Sequence, residues 1–167
     1  MSIADSLLPE FDHEMAATRR VLERTPVKDA KWKPHAKSYA LGTLATHIAM
    51  IPSWLPATLE QPELDLNPPG GTGYKEPALE SNAGLLALFD ENVKQARAAL
   101  ARATDTAFFA NWSLKSGGHT IFTMPRVAVV RSFIMNHLIH HRAQFTVYLR
   151  LRDVPLPSLY GPTADEQ

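Results

Sequence analysis

Apolar residues recur at steps of three and four in four separate stretches of the chain, the spacing that lines one face of an α-helix. Leu8, Phe11, Met15, Thr18 and Leu22 predict a first helix over about residues 3–24, ending before Pro26. After Ser38 the spacing returns in Leu41, Leu44, His47 or Ile48, Ile51 and Leu55. Pro52 and Pro56 each remove a backbone donor and clash one turn back, so this second helix should kink or end there. Ser81 is a suitable N-cap for a third helix that buries Leu85, Phe89, Val93, Ala96 and Leu100. A fourth helix starts near Pro125, a residue suited to a first-turn position, and runs to Leu151. Its inward face carries Val127, Val130, Ile134, His137, His141, Phe145 and Tyr148.

The connections carry different patterns. QPELDLNPPGGTGYKEPAL has no period and is rich in Pro and Gly, which predicts an irregular crossover across one end of the helices. NWSLKSGGHTIFTM alternates on either side of Ser116, Gly117 and Gly118, which predicts a small β-hairpin before the last helix. The expected fold is therefore all-α, a four-helix bundle with a long crossover connection and that hairpin. In such bundles, cofactor sites are built in the core from side chains on facing helices. Phe133, Met135 and Val147 lie off the main stripe of the fourth helix and predict a second apolar face, the kind that homodimers bury.

Composition narrows the classes. A chain of 167 residues is expected to form a single domain, 1–167, with one continuous core. Lys and Arg number 17, as do Asp and Glu, and neither sign forms a long run, so nucleic acid is not an expected partner. The absence of cysteine removes disulfides, thiolate metal sites and cysteine nucleophiles. No stretch approaches the ~20 apolar residues of a membrane span, and the first residues are acidic where a secretory leader would be basic. A soluble, cytoplasmic protein with no membrane partner is expected.

The chemistry concentrates in the fourth helix. His137 and His141 are one helical turn apart and can aim at one point. A third ligand must come from another helix, and His47 is the histidine on the inward side of the second. Three imidazoles suit Zn, Ni, Fe or Cu and leave coordination positions for water or a small-molecule substrate. His140 points away from the pair and is not assigned. Histidine pairs at this spacing also arise by chance, and a buried histidine is commonly a hydrogen-bonded core residue. Placement on apolar stripes favours a metal, because neutral imidazoles there need polar partners and protonated ones would repel. Leu138 stands where the H-E-x-x-H zinc motif has its glutamate, so no protease of that type is expected.

LATHIAMIPSW, NHLIHHRAQFTVYLRLRDVP and the ending LYGPTADE resemble the DinB superfamily, DNA-damage-inducible metal-binding four-helix bundles, and WKPHAKSYALGTLATH fits the approach to its first ligand. The resemblance covers nearly the whole chain and is most specific in the last helix and tail. It implies a metal triad of one histidine on the second helix and an H-x-x-x-H pair on the fourth, which fall on His47, His137 and His141. Asp153 stands where relatives often have Gly. The resemblance further implies a divalent ion (Zn, Ni or Fe) and an activity of metal-dependent hydrolase or transferase type. The transferases use a low-molecular-weight thiol such as bacillithiol, mycothiol or glutathione as cosubstrate. The alternatives are a non-catalytic metal or small-ligand binding module, and a structural bundle whose histidines satisfy one another.

Other residues carry weaker signals. Trp54 is placed at the pocket mouth or in the core. Arg142 can bind a substrate carboxylate or, more in keeping with its place, pair with an acid on a neighbouring helix. Gln144 and Asn136 can orient a ligand imidazole. Tyr160 is expected to dock the tail, and Asp90 and Glu91 lie beside the inward Phe89. No general base is assigned.

Overall fold

The computed structural model describes residues 1–166. Helix α1 (Ile3–Leu22) starts in a reciprocal cap: the Ser2 hydroxyl accepts from the Asp5 N–H, and the Asp5 carboxylate accepts from the Ser2 N–H. Helix α2 (Leu41–Met50) has no side-chain cap. Its first donors, Leu41 and Gly42 N–H, go instead to the carbonyls of Trp32 and Ala30. A Cβ at position 42 would come within 3.0 Å of the Ala30 Cβ, so glycine permits this approach. As Pro52 predicts, the helix then breaks into a 3-10 turn (Ile51–Ser53) and resumes as α3 (Trp54–Glu60).

The crossover differs in part from expectation. It is irregular over much of its length, but Glu63–Asp65 form strand β1, parallel to the strand that the hairpin provides. Helix α4 (Asn82–Arg102) begins at Ser81, whose hydroxyl accepts from the Gly84 N–H at 3.0 Å. After the short α5 (Asp105–Phe109) comes the expected hairpin, β2 (Asn111–Ser116) and β3 (His119–Pro125), turning at Gly117 and Gly118 with φ of 60° and 80°. Those angles explain the paired glycines. Asp65 holds β1 to the turn, accepting from both glycine N–H groups at 3.0 and 2.8 Å.

The last helical stretch is continuous but not uniform: α6 (Arg126–Ala128), a π-helical segment (Val129–Met135) and α7 (Asn136–Leu151). The architecture is thus mostly helical with a three-stranded sheet in the order β1-β2-β3. The all-α expectation is corrected by that sheet, and the helical segments exceed the four of a plain bundle. α1 and α2 each pack against α4 and α7. Between them lies a core that includes Phe11, Leu44, Ile48, Phe89, Leu100 and Phe145. A smaller cluster, Trp112, Leu114 and Val129, lies under the sheet and collects Phe122 and Phe133. Met135 is buried in the main core and Phe133 is packed in the smaller cluster, so of the three residues marking a second apolar face only Val147 is exposed. Among the described residues no helix is long and apolar enough to cross a membrane.

Candidate metal centre

α2 and α7 bring His47, His137 and His141 together, as the spacing predicts. One ring nitrogen from each lies within 4.8 Å of the other two. His137 Nε2 is 3.4 Å from His47 Nε2 and 2.7 Å from His141 Nε2. His47 is buried and the other two are half-buried.

The opposite nitrogens are all engaged by acceptors. His47 Nδ1 meets the Glu76 carboxylate, His137 Nδ1 faces the Phe133 carbonyl at 3.3 Å, and His141 Nδ1 faces Gln144 Oε1 at 2.7 Å. With each Nδ1–H donating, every Nε2 presents a lone pair to the same point. Two lone pairs at 2.7 Å repel unless a cation lies between them. A proton is a poor candidate, because burial first, then the neighbouring His141 and His47, push the His137 pKa down to about 4. Burial also lowers that of His141. A donor set of three neutral imidazoles with fixed tautomers suits a divalent metal and leaves positions open.

Aromatic rings enclose the triad. Trp54 lies 5.8 Å from His47 and 5.5 Å from His137 between ring centroids, and Tyr39 lies 6.0 Å from His47. Trp54, for which both pocket and core are open alternatives in the sequence, lines the site with its ring stacked on Phe133 at 5.7 Å and also packs against the core. Next to His47 a cavity of about 180 Å³ opens between α3, the sheet and the π-helical segment. Tyr74 stands in its wall; burial and the Glu76 charge push its phenol up to about 12, so it remains an O–H donor.

The weaker candidates separate cleanly. Gln144 reaches the site; Asn136 is exposed and has no side-chain bond among the described residues. His140 is exposed beside His141. Arg142 is turned away and pairs with Glu14 of α1 at 2.7 Å, as the neighbouring-acid alternative anticipates. Tyr160 docks the tail by donating to Glu14 at 2.8 Å. Asp90 pairs with Arg19, and Glu91 accepts from Gln95, both away from the triad. Sequence reasoning missed Glu76, Tyr39 and Tyr74, which come from loops without a period.

Known proteins resemble this chain in sequence and fold. The DinB family profile matches residues 1–167. The uncharacterized protein YrdA of Bacillus subtilis (strain 168) is 25% identical over 166 residues, covering 97% of this chain and 90% of YrdA. The crystal structure of a DinB-like protein from Bacillus cereus ATCC 10987 superposes with a TM-score of 0.72 at 22% identity, covering 95% of this chain and 98% of that one. That of the DinB-like YjoA from Bacillus subtilis gives 0.69 at 17% identity, covering 93% and 99%. Likeness at that identity speaks for the fold, whereas the family profile spans the chain from end to end and includes both histidine segments: the chain belongs to the DinB family.

Proposed function

We propose that the protein is a metal-dependent enzyme acting on a small molecule in the cytoplasm, a hydrolase or a low-molecular-weight-thiol transferase, with His47, His137 and His141 holding one divalent ion. One observation carries this reading: three Nε2 atoms converge while Glu76, Phe133 and Gln144 lie against every Nδ1. A bound divalent ion in such a set lowers the pKa of a coordinated water, to about 7 in favourable zinc sites, or ionises a thiol. The remaining work belongs to the chain. The three acceptors fix ring orientation, Trp54 and Phe133 exclude water on one side, and Tyr74, its phenol kept protonated by burial and the Glu76 charge, borders the cavity. The two reaction types share this apparatus and differ in the nucleophile.

Metal analysis of protein purified without an affinity tag, followed by turnover of ester and thiol-acceptor panels with and without added metal, tests the reading. Stoichiometric metal in the parent, its loss in His137→Ala and metal-dependent turnover of one panel are expected. Metal without turnover would leave a binding module. Full metal content in His137→Ala would remove the site itself.

A further inference from the structure

The cavity beside the triad differs from it in chemistry. Its walls are Trp54 of α3, Leu64 of β1, Leu66, Trp112 and Leu114 of β2, and Phe133 of the π-helical segment, with His47 at one end. Two polar groups of this wall are turned to backbone: the Thr58 hydroxyl donates to the Trp54 carbonyl at 2.9 Å, and the Trp112 indole N–H to the Ala57 carbonyl at 3.2 Å. The Trp54 indole N–H is enclosed. No Asp, Glu, Lys or Arg side chain lines the space, so an ionised group entering it would lose hydration without compensation. Interiors are close-packed, and a void of this size forfeits the dispersion contacts of its whole lining. Filling it with an apolar group recovers them.

We propose that this chamber is a ligand subsite for a compact, uncharged, phenyl-sized group, carried by a small molecule whose donor atom faces His47, His137 and His141. Size sets the class: an apolar cavity of about 150 Å³ takes up benzene, and this one measures about 180 Å³. Position sets the orientation. His47 belongs both to the chamber wall and to the triad, so a ring seated against Trp54 and Leu114 lies beside the three histidines. Tyr74, 38% exposed, also lines the chamber. The placement of the donor atom rests on the metal reading above; the apolar subsite does not.

Two ligands test the parts separately. Benzene is titrated into chelator-treated and zinc-loaded protein while the methyl resonances of Leu64, Leu66 and Leu114 are followed. Saturable shifts confined to these methyls are expected in both forms. Leu66→Trp, at the rim, should fill the chamber and abolish them; Leu114→Phe serves if that variant does not fold, with circular dichroism as the check on both. Benzyl mercaptan and ethanethiol are then compared on zinc-loaded protein. Burial of the ring should make the aromatic thiol at least about tenfold tighter, and a filled chamber should remove the preference. Absence of saturable benzene shifts, or shifts unchanged in a folded filled variant, overturns the proposal. Equal affinity of the two thiols for zinc-loaded protein overturns it as well. Benzene binding in a protein that takes up no zinc supports the subsite and defeats the metal reading instead.

Discussion

Glu76→Gln keeps an oxygen beside His47 Nδ1 but removes its charge, which isolates the contribution of the carboxylate behind the ligand. Loss of such an outer partner costs about 10–100-fold in metal affinity, and a loss in that range is expected in zinc competition against a chelator. Unchanged affinity would mean that the aromatic enclosure alone orients the ring. Acid pH tests the same residues. The His137 pKa is held near 4 in the fold by burial and the two neighbouring imidazoles, against ~6.5 for an unperturbed histidine. Between those values the unfolded chain takes up a proton that the folded metal-free chain refuses, so its stability should rise with pH across this window and level off above it. Because protons compete weakly at His137, zinc content should persist below the unperturbed histidine range before it falls; a midpoint above that range would contradict this account. The triad was legible in the sequence because its members sit on periodic stripes, two of them one turn apart. Glu76 and Tyr74 were not, since they reach the site from a crossover whose course depends on distant contacts. Asp153 was legible only as a substitution: it adopts φ of 55°, a left-handed conformation that glycine takes freely and aspartate tolerates.

The break between α2 and α3 has a similar logic one level up. Pro52 cannot donate to the preceding turn, and the freed end of α2 is partly closed from outside: Asn92 of α4 donates to the Ala49 carbonyl at 2.9 Å. Asn92 is buried, so Asn92→Leu would leave that carbonyl without its side-chain partner and cost about 1–3 kcal/mol, measured by urea unfolding. A loss well under that range would show that water or a backbone shift replaces the bond. Helices α1 and α4 were readable nearly to their ends because caps and apolar stripes agree. The π-helical segment was not. One wider turn needs no marker residue, yet it changes which side chains face inward: Met135, off the stripe of an ideal helix, is fully buried, and Phe133 joins the cluster under the sheet. Strand β1 escaped notice for another reason, because three residues show no alternation and their pairing with β2 spans a large sequence separation.

Across the whole molecule, the parts that hold the fold and the part that holds the histidines are largely separate. Glu14 of α1 and Arg142 of α7 form a buried pair, and Tyr160 of the tail donates to Glu14. Arg142→Ala would strand the carboxylate in the interior and should cost about 3–5 kcal/mol, seen in the unfolding midpoint; replacing both partners with apolar residues should restore much of it. The main core joins α1, α2, α4 and α7 through apolar side chains that include none of the three histidines. Chelation should therefore leave the far-ultraviolet spectrum helical. The metal should act only by mass action on the folded state: at free zinc about 100-fold above Kd it adds about 2.7 kcal/mol. For a chain of this size each kcal/mol shifts Tm by about 2–4 °C, so zinc should raise Tm by about 5–11 °C in the parent and hardly at all in His47→Ala. An equal rise in both would mean that zinc binds elsewhere, and loss of helix on chelation would mean that the ion, and not the core, closes the bundle.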